Sequence, residues 1–360
     1  MLIRNARIAV SPTQTVNSDL VINGAKSPAL DLEGHLLLPG LVNAHDHLEF
    51  NLFPRLGRRI YSNASEWAAD IHRPRESPVR EHLELPKPLR LFWGALRNLL
   101  SGVTTVAHHN PYNKCFKQNF PVRVVRRCGW AHSLAFSPDL AHRHRATPPD
   151  WPFVLHAGEG TDRAAQAELG QLRQLGVLTR RTVLVHAIAF DPGQIPDCAI
   201  VWCPSSNLLT YGRTLQPRPG SRIVLGTDSA ISAAGDMIDE IRIAHRHCGA
   251  SLESLYAMLT TQPARIFHLN AASDFIAVAD RRQTPAQALL DLSPELVIVA
   301  GRIHLISRRL ASQIGPDQFH PIALEHRGQW LTPFDIPRLL QRTRAILGPE
   351  IRLAGKRVWA

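Results

Sequence analysis

Lysine is scarce in this chain: only five of its 41 basic residues are lysine (Lys26, Lys87, Lys114, Lys117 and Lys356), and the rest are arginine. Against 30 acidic residues the net charge is +11. The charge is spread along the chain, with no long run and no interleaved aromatics, so it reads as a solvated basic surface rather than a nucleic-acid track. No stretch approaches the ~18 unbroken apolar residues of a membrane span. Five cysteines (Cys115, Cys128, Cys198, Cys203, Cys248) make an odd number with no CxxC pair, which argues against a disulfide framework and for a reducing cytoplasm. There is no GxGxxG after a strand, no GxxxxGK[ST] and no GxSxG, which removes phosphate cradles and a serine nucleophile elbow. Cys203-Pro204 runs in reverse to the Pro-Cys-x-x-Cys of one zinc-site signature and lacks its second cysteine.

What is present is strand and helix pattern in alternation. Residues 1–36 hold short alternating pieces (Leu2–Val10, Leu20–Ile22) divided by Ser, Pro, Asn and Gly. Met1–Arg7, with scattered charge and no apolar core, reads as a first strand and not as a signal peptide. Similar material returns at Phe275–Val278 and Leu296–Ile306, so the two ends are expected to pair as one small β-sandwich domain of 1–36 and 270–312. Between them, buried-strand runs (Leu36–Val42, Val103–Ala107, Val122–Val125, Phe153–Leu155, Thr182–Val185, Ala199–Trp202, Ile223–Leu225) alternate with helical pattern at 87–101, 161–175, 236–247 and 251–268. This predicts a (β/α)8 TIM-like barrel over 37–269, ahead of a doubly wound open sheet. The interval 122–152 is too short for two strands and a full crossover, so one barrel unit is expected to be reduced and strand four has no assignment. Residues 49–86 form a long connection rich in Arg and Pro, with a short helix near 64–71, and are placed as a lid over the barrel mouth. Residues 313–360 are read as a C-terminal helical extension, with a helix over 332–347.

The candidate chemistry sits where apolar strands end. In His45-Asp46-His47 the two imidazoles share one face of a strand and Asp46 takes the other. The spacing alone is weak, because it recurs at His142/His144 and His245/His247 among 18 histidines. Only the first pair follows a buried strand. The arrangement then repeats: Phe153–Leu155 delivers His156, Val183–Val185 delivers His186, and Ile223–Leu225 leads to Asp228. Barrel enzymes collect catalytic groups at such strand ends. Imidazoles with one carboxylate suit Zn²⁺ or Fe²⁺ and leave a position for water, whose pKa such a metal lowers from 15.7 to about 7. Asp228 is placed to orient that water or take its proton, Glu159 to shuttle protons, and His186 to polarise the bond under attack, to hold the hydroxide or to join the ligands. Substrate contacts are expected from His109, Asn207, Arg55 and Trp67, with Asn51, Arg58, Arg59, Tyr61, His108, Asn110 and His132 as further candidates. His108 and His109 are adjacent on a strand, so at most one lines the mouth.

These motifs resemble the amidohydrolase superfamily. Pro39–Leu48 looks like its first barrel strand, Gly102–Val106 like its second, and His156-Ala-Gly-Glu159, His186, Cys203–Asn207 and Gly226–Ser229 like its fifth to eighth strand ends. Within the superfamily the pattern is similar to the mononuclear aminohydrolases of cytosine, guanine, triazines and S-adenosylhomocysteine. The resemblance implies His45, His47, His156 and Asp228 as metal ligands and Glu159, His186 and Asp228 as catalytic. Dinuclear relatives bridge their metals with a carboxylated lysine or a glutamate; here no lysine lies between Lys117 and Lys356 and no glutamate within 105–136, while Cys115 and Cys128 remain as alternative bridges. One divalent transition metal is therefore expected, zinc ahead of iron.

The leading reading is a metal-dependent hydrolase that deaminates a nitrogen heterocycle. An amide or cyclic-amide hydrolase with the same site is the nearest rival, and an inactive basic nucleic-acid-binding barrel is the alternative of another class. The expected partner is a small-molecule substrate, without nucleic acid or membrane, and with a homo-oligomer left open.

Overall fold

The structure, a computed structural model, describes residues 1–24, 28–57, 59–191, 193–218 and 220–360. Eight parallel strands lie in its central part, divided between two sheets. Leu41–Asp46, Val103–His108 and Arg123–Val124 form the first. Gly129–Trp130, Phe153–Ala157, Thr182–His186, Ala199–Trp202 and Ile223–Leu225 form the second. Where the eighth strand ends, the backbone N–H groups of Thr227 and Asp228 both donate to His45 O at 3.1 Å, joining the two sheets on that side. On the other side no pairing joins the third and fourth strands among the described residues. The expected barrel strands are thus carried by two sheets rather than by one unbroken ladder.

The run from Leu36 to Val42, expected to be one strand, is two. Leu36–Pro39 belongs to the sheet built from the chain ends, and Leu41–Asp46 starts the parallel set. Proline lacks a donor to continue the ladder, and at Gly40 the backbone passes so close to Thr104 that a Cβ would lie 2.2 Å from its Oγ1. The unassigned fourth strand is Gly129–Trp130, four residues after Arg123–Val124. No crossover helix is needed there, because those two strands do not pair. More than one unit is reduced, contrary to expectation. Among the described residues the connection 109–122 carries only the 3-10 turn Lys114–Lys117, and 187–198 carries no helix. The remaining helices include Lys87–Leu99, Leu140–Ala146, Arg163–Gln174, Pro204–Tyr211 and Met237–Arg246.

Strand alternation sorts two cores. Ala44, Val154, Val183, Val185, Val201 and Val224 form one buried cluster. Leu155, Leu184, Ile200, Trp202 and Leu225 point the other way, into the large cluster shared with the helices.

Among the described residues the chain ends form one eleven-stranded sheet, a path of ten with Ala29–Asp31 branching from Leu2–Ala9. Leu2–Ala9 pairs antiparallel with Thr15–Val21 and parallel with Leu36–Pro39, which in turn runs antiparallel to Phe275–Val278. Residues 313–360 depart from the helical expectation. They contain the helix Ile336–Leu347, but also His320–Leu324, Gly328–Thr332, Arg352–Leu353 and Lys356–Trp359, which extend the same sheet. Among the described residues no helix is long and apolar enough to cross a membrane.

This C-terminal segment is pinned to the central part by charge. Arg327 donates to Asp236 (3.0 Å) and Asp239 (2.7 Å), and Lys356 to Asp239 (2.6 Å), around the capping box that starts helix Met237–Arg246. Asp236 is buried and Arg327 is only 11% exposed, so the pair is little screened. Arg327→Ala should cost about 1–3 kcal/mol, read as a lower denaturant midpoint at unchanged slope.

Candidate metal and catalytic site

The ends of the parallel strands converge. The ring nitrogens of His45, His47 and His156 fall within 4.8 Å of one another, and so do donor atoms of His45, His186 and Asp228 and of His156, Glu159 and His186. Asp228 Oδ1 lies 3.7 Å from His45 Nε2 and 4.0 Å from His47 Nε2, and the Nε2 atoms of His47 and His156 are 3.4 Å apart. Close approach depends on Gly226, where a Cβ would sit 2.8 Å from His45 Cβ.

The far sides of the rings are held by hydrogen bonds. His156 Nδ1 donates to His132 O (2.8 Å), and His109 Nε2 donates to Ala131 O (2.9 Å). His109 Nδ1 is then an acceptor, and His45 Nδ1 donates to it at 3.3 Å. That leaves the lone pair of His45 Nε2 facing Asp228. His186 Nδ1 donates to Asn207 Oδ1 (2.8 Å), which frees His186 Nε2 in the same way. Both Nε2 atoms are buried with no hydrogen-bond partner. Burial, aided by the neighbouring imidazoles, pushes His45 and His156 well below the usual histidine range, so they stay neutral. Neutral imidazoles with orphaned, converging lone pairs beside a carboxylate fit a divalent transition metal, and rings fixed through their other nitrogen are how proteins present such ligands.

Burial alone would raise the Asp228 carboxyl, but His47, His186 and the hydroxyls of Ser232 and Ser206 hold it below the ordinary value. Those hydroxyls donate to Oδ2 at 2.7 and 2.8 Å, while Oδ1, which accepts from Ser229 N at 2.7 Å, faces the histidines. Asp228 and His186 both have left-handed backbone, φ 54° and 71°. For a residue with a Cβ this conformation is costly and marks a constrained site. At His186 it also re-aims the side chain. Leu184 faces the outer core, so simple alternation would send His186 outward as well.

Glu159 lies 3.6 Å from His186 Nε2 and accepts a 2.7 Å hydrogen bond from Tyr211. Burial raises its carboxyl above the ordinary range, against the pull of His186 and Tyr211. The long connection closes over this corner. Its helix Ala64–Ile71 starts with Ala64 N donating to Glu159 O (3.0 Å), while Thr161 N donates to Ser62 O (2.8 Å) and Tyr61 N to Thr210 O (2.9 Å). Trp67 packs on the small cluster of Tyr61, Ile188 and Tyr211, one residue removed from Glu159.

The residues singled out for substrate fare unevenly. Asn207 is fully buried, accepts from His186 Nδ1 at 2.8 Å and donates to Thr214 at 3.2 Å. His109 is buried behind His45, its ring stacked on His156 at 4.3 Å, so it supports the donor set from behind. Arg55 is exposed. Arg59 lies over the Tyr61 ring and pairs with Glu66 at 2.6 Å, as part of the loop's own surface. Arg58 lies outside the described residues. Asn110 reaches His47 Nδ1 (3.2 Å) and Glu49 (3.0 Å), and His108 faces Glu49 at 3.6 Å. His132 stands at the edge of the cluster, 4.7 Å from the His156 ring, lowered to about 4 by burial. Neither Cys115 nor Cys128 enters a candidate metal group among the described residues. Cys128 bonds its own neighbour's carbonyl at 3.2 Å, and burial pushes its thiol up to about 12.

Sequence reasoning missed a polar floor beneath the ligands. Arg97, on helix Lys87–Leu99, is buried and donates to Asn51 Oδ1 (2.7 Å), Asp228 O (2.9 Å) and Gly235 O, with Asp46 Oδ2 at 3.4 Å. Asp46 also accepts from Asn98 (2.7 Å) and Asn51 (2.8 Å). The one readable hint was that Asp46 must point away from the two histidines.

No family model matches the chain. It is 30% identical over 355 residues to the 5-methylthioadenosine/S-adenosylhomocysteine deaminase of Pyrococcus furiosus, covering 75% of this chain and 83% of that one. It is 30% identical over 205 residues to an imidazolonepropionase of Klebsiella pneumoniae, over 54% of this chain and 47% of the relative, so that match spans less than half of the relative's length. Among solved structures, a zinc-bound adenosine deaminase from Xanthomonas campestris superposes with a TM-score of 0.64 at 16% identity, over 96% of this chain and 97% of that one.

Proposed function

The chain belongs to the amidohydrolase superfamily, and we propose that within it the protein is a mononuclear, metal-dependent aminohydrolase that removes ammonia from a nitrogen heterocycle of purine, pyrimidine, pterin or triazine type. The carrying observation is one constellation: ring nitrogens of His45, His47 and His156 lie within 4.8 Å of one another, Asp228 Oδ1 lies 3.7 Å from His45 Nε2 and 4.0 Å from His47 Nε2, and His186 and Glu159 stand 3.6 Å apart beside them. In this reading His45, His47, His156 and Asp228 hold the metal, zinc before iron. When bound, the metal acts as a Lewis acid that acidifies water for attack at neutral pH.

The chain's own residues do the rest. Asp228 Oδ1, free of the two serine hydroxyls that occupy Oδ2, takes the proton of the attacking water. Glu159, whose carboxyl burial raises above its ordinary value, donates in its protonated form to the ring nitrogen next to the carbon under attack. It then relays a proton to the departing amino group. His186, fixed through Asn207, presents Nε2 to the incoming oxygen. Water oxygen ends on the ring carbon, the exocyclic C–N bond breaks, and ammonia leaves. Tyr211 and the loop over it orient Glu159 and keep bulk water from the proton path. The two parallel sheets are read as the staves of one (β/α)8 barrel, and the eleven-stranded sheet, with its separate buried cluster around Ile3, Leu30 and Ile298, as a β sandwich folded from both chain ends. Five free cysteines suit a reducing cytoplasm.

The half-length match to an imidazolonepropionase favours one rival, hydrolysis of a cyclic amide at the same site. Ammonia release assayed across purines, pyrimidines, pterins and triazines, with Asp228→Ala as blank, separates the two: ring opening without ammonia selects the rival. The purified protein should carry about one transition metal per chain. His156→Ala should lose both metal and activity, whereas wild-type protein stripped by chelator should regain activity with Zn²⁺ or Fe²⁺. Protein that binds no metal under any reconstitution overturns the assignment.

A further inference from the structure

A second cavity, of about 760 Å³, opens at the opposite ends of the same strands. Its walls include Arg181 and Arg222, each immediately preceding a strand (Thr182–His186 and Ile223–Leu225) whose far end leads to His186 or Asp228. Arg180, Arg265, Gln262, Ser221 and His268 add to the polar lining, and Asp150 is the acidic residue there. At about 3.3 Å per residue of strand, this cavity lies some four to six residues, roughly 15–20 Å, from the metal ligands.

Arg181 is fixed in place by backbone carbonyls without being neutralised, whereas Arg180 and Arg222 share one carboxylate. Arg181 donates from one terminal nitrogen to Thr147 O (2.9 Å) and Pro148 O (3.0 Å), and from the other to His144 O (2.5 Å). No carboxylate of the described residues pairs with Arg181 or Arg265. Arg222 makes all its hydrogen bonds through one nitrogen, to Arg180 O (2.8 Å), Asp197 O (2.9 Å) and Asp197 Oδ1 (3.4 Å). Among the described residues the Nε and second terminal nitrogen of Arg222 carry no hydrogen bond, and that edge of a guanidinium is the one that grips a phosphate with two parallel bonds. Asp197 is shared between Arg180 and Arg222, both at 3.4 Å, so four arginines meet two carboxylates. Beside them the amide oxygen of Gln262 is buried with no donor, and a buried acceptor left alone is costly.

We propose that this cavity binds a phosphorylated small molecule that also carries hydroxyl donors, of the sugar-phosphate class, with the phosphate on the Arg222 edge and Arg265 and a hydroxyl on the Gln262 amide, whose side chain turns outward to meet it. The site is separate from the heterocycle site, and its occupancy does not depend on the metal.

The test is calorimetric titration of the full chain, metal-loaded, with ribose 5-phosphate, inorganic phosphate and ribose. One ribose 5-phosphate per chain is expected, at least ~10-fold tighter than inorganic phosphate, with no heat from ribose. Arg222→Gln should weaken binding about 10-fold or more. Arg265→Glu, at an exposed position, should do the same with unchanged thermal stability and unchanged ammonia release. Absence of saturable binding overturns the proposal. So does ribose 5-phosphate affinity that survives Arg265→Glu in folded protein, or equal affinity for inorganic phosphate and the sugar phosphate.

Discussion

Glu159→Gln should lower kcat by about 10²–10⁴-fold while the protein keeps its metal. The amide is nearly isosteric with the carboxyl and still accepts from Tyr211, whose hydroxyl lies 2.7 Å from Oε1. The loop docks here through the backbone carbonyl of Glu159, which receives Ala64 N, so the substitution leaves the lid seated. What disappears is a proton that can be given and taken back. Metal analysis, substrate KM and kcat measured together make the test specific, since a lost metal or a misplaced lid would move the first two. Tyr211→Phe offers the contrast: it removes one hydrogen bond to Glu159 and should cost only about 10-fold. A Glu159→Gln enzyme within about 10-fold of wild type, or one purified without metal, would remove Glu159 from the proton path.

The site was legible where strand alternation and an abrupt polar ending coincide. Phe153–Ala157 is a buried strand carrying His156, and no solvated or ion-paired role accounts for a histidine there. His186 was readable for its position but not its direction, because the φ of 71° that turns it inward leaves no mark in Val-Leu-Val-His. Asn207 and His109 illustrate the opposite limit. Both are polar residues near strand ends, which singles them out, but only packing decides that they face histidines. The sheet of the chain ends was half readable. Phe275–Val278 and Leu296–Val299 are unbroken apolar runs, whereas His320–Leu324 and Gly328–Thr332 are mixed; these two pair with each other as a hairpin and join the sheet through distant partners, Ile306 for Leu331 and Val358 and Trp359 for Leu324 and Ala323. Arg97 was not legible at all. In an amphipathic helix an arginine reads as solvent-facing, and its burial is imposed by the carboxylate and carbonyls that converge on it.

Arg97→Met is therefore expected to have the largest effect on stability, about 3–5 kcal/mol, measured as the loss of unfolding free energy in denaturant. Burial already raises the Asp46 carboxyl, against the opposing pull of Arg97, Asn98 and Asn51. Without the guanidinium the carboxylate keeps its amide donors but loses its only buried countercharge among the described residues, Gly235 O loses its side-chain donor, and Asp228 O is left with the Thr227 hydroxyl. The second loss reaches the metal site. Arg97 holds the backbone carbonyl of Asp228 in its left-handed turn, so metal affinity should fall about 10–100-fold even under conditions where the variant is folded. Combining Arg97→Met with Asp46→Asn should recover part of the stability, because no unpaired buried charge remains, but little of the metal affinity. A single variant costing less than about 1 kcal/mol would show that Asp46 is protonated in the native protein and that the amides alone suffice. The expected split follows from the His45-Asp46-His47 triplet itself: the alternation that turns two imidazoles toward the metal drives the carboxylate between them into the floor, where Arg97 ties that strand to the one carrying Asp228.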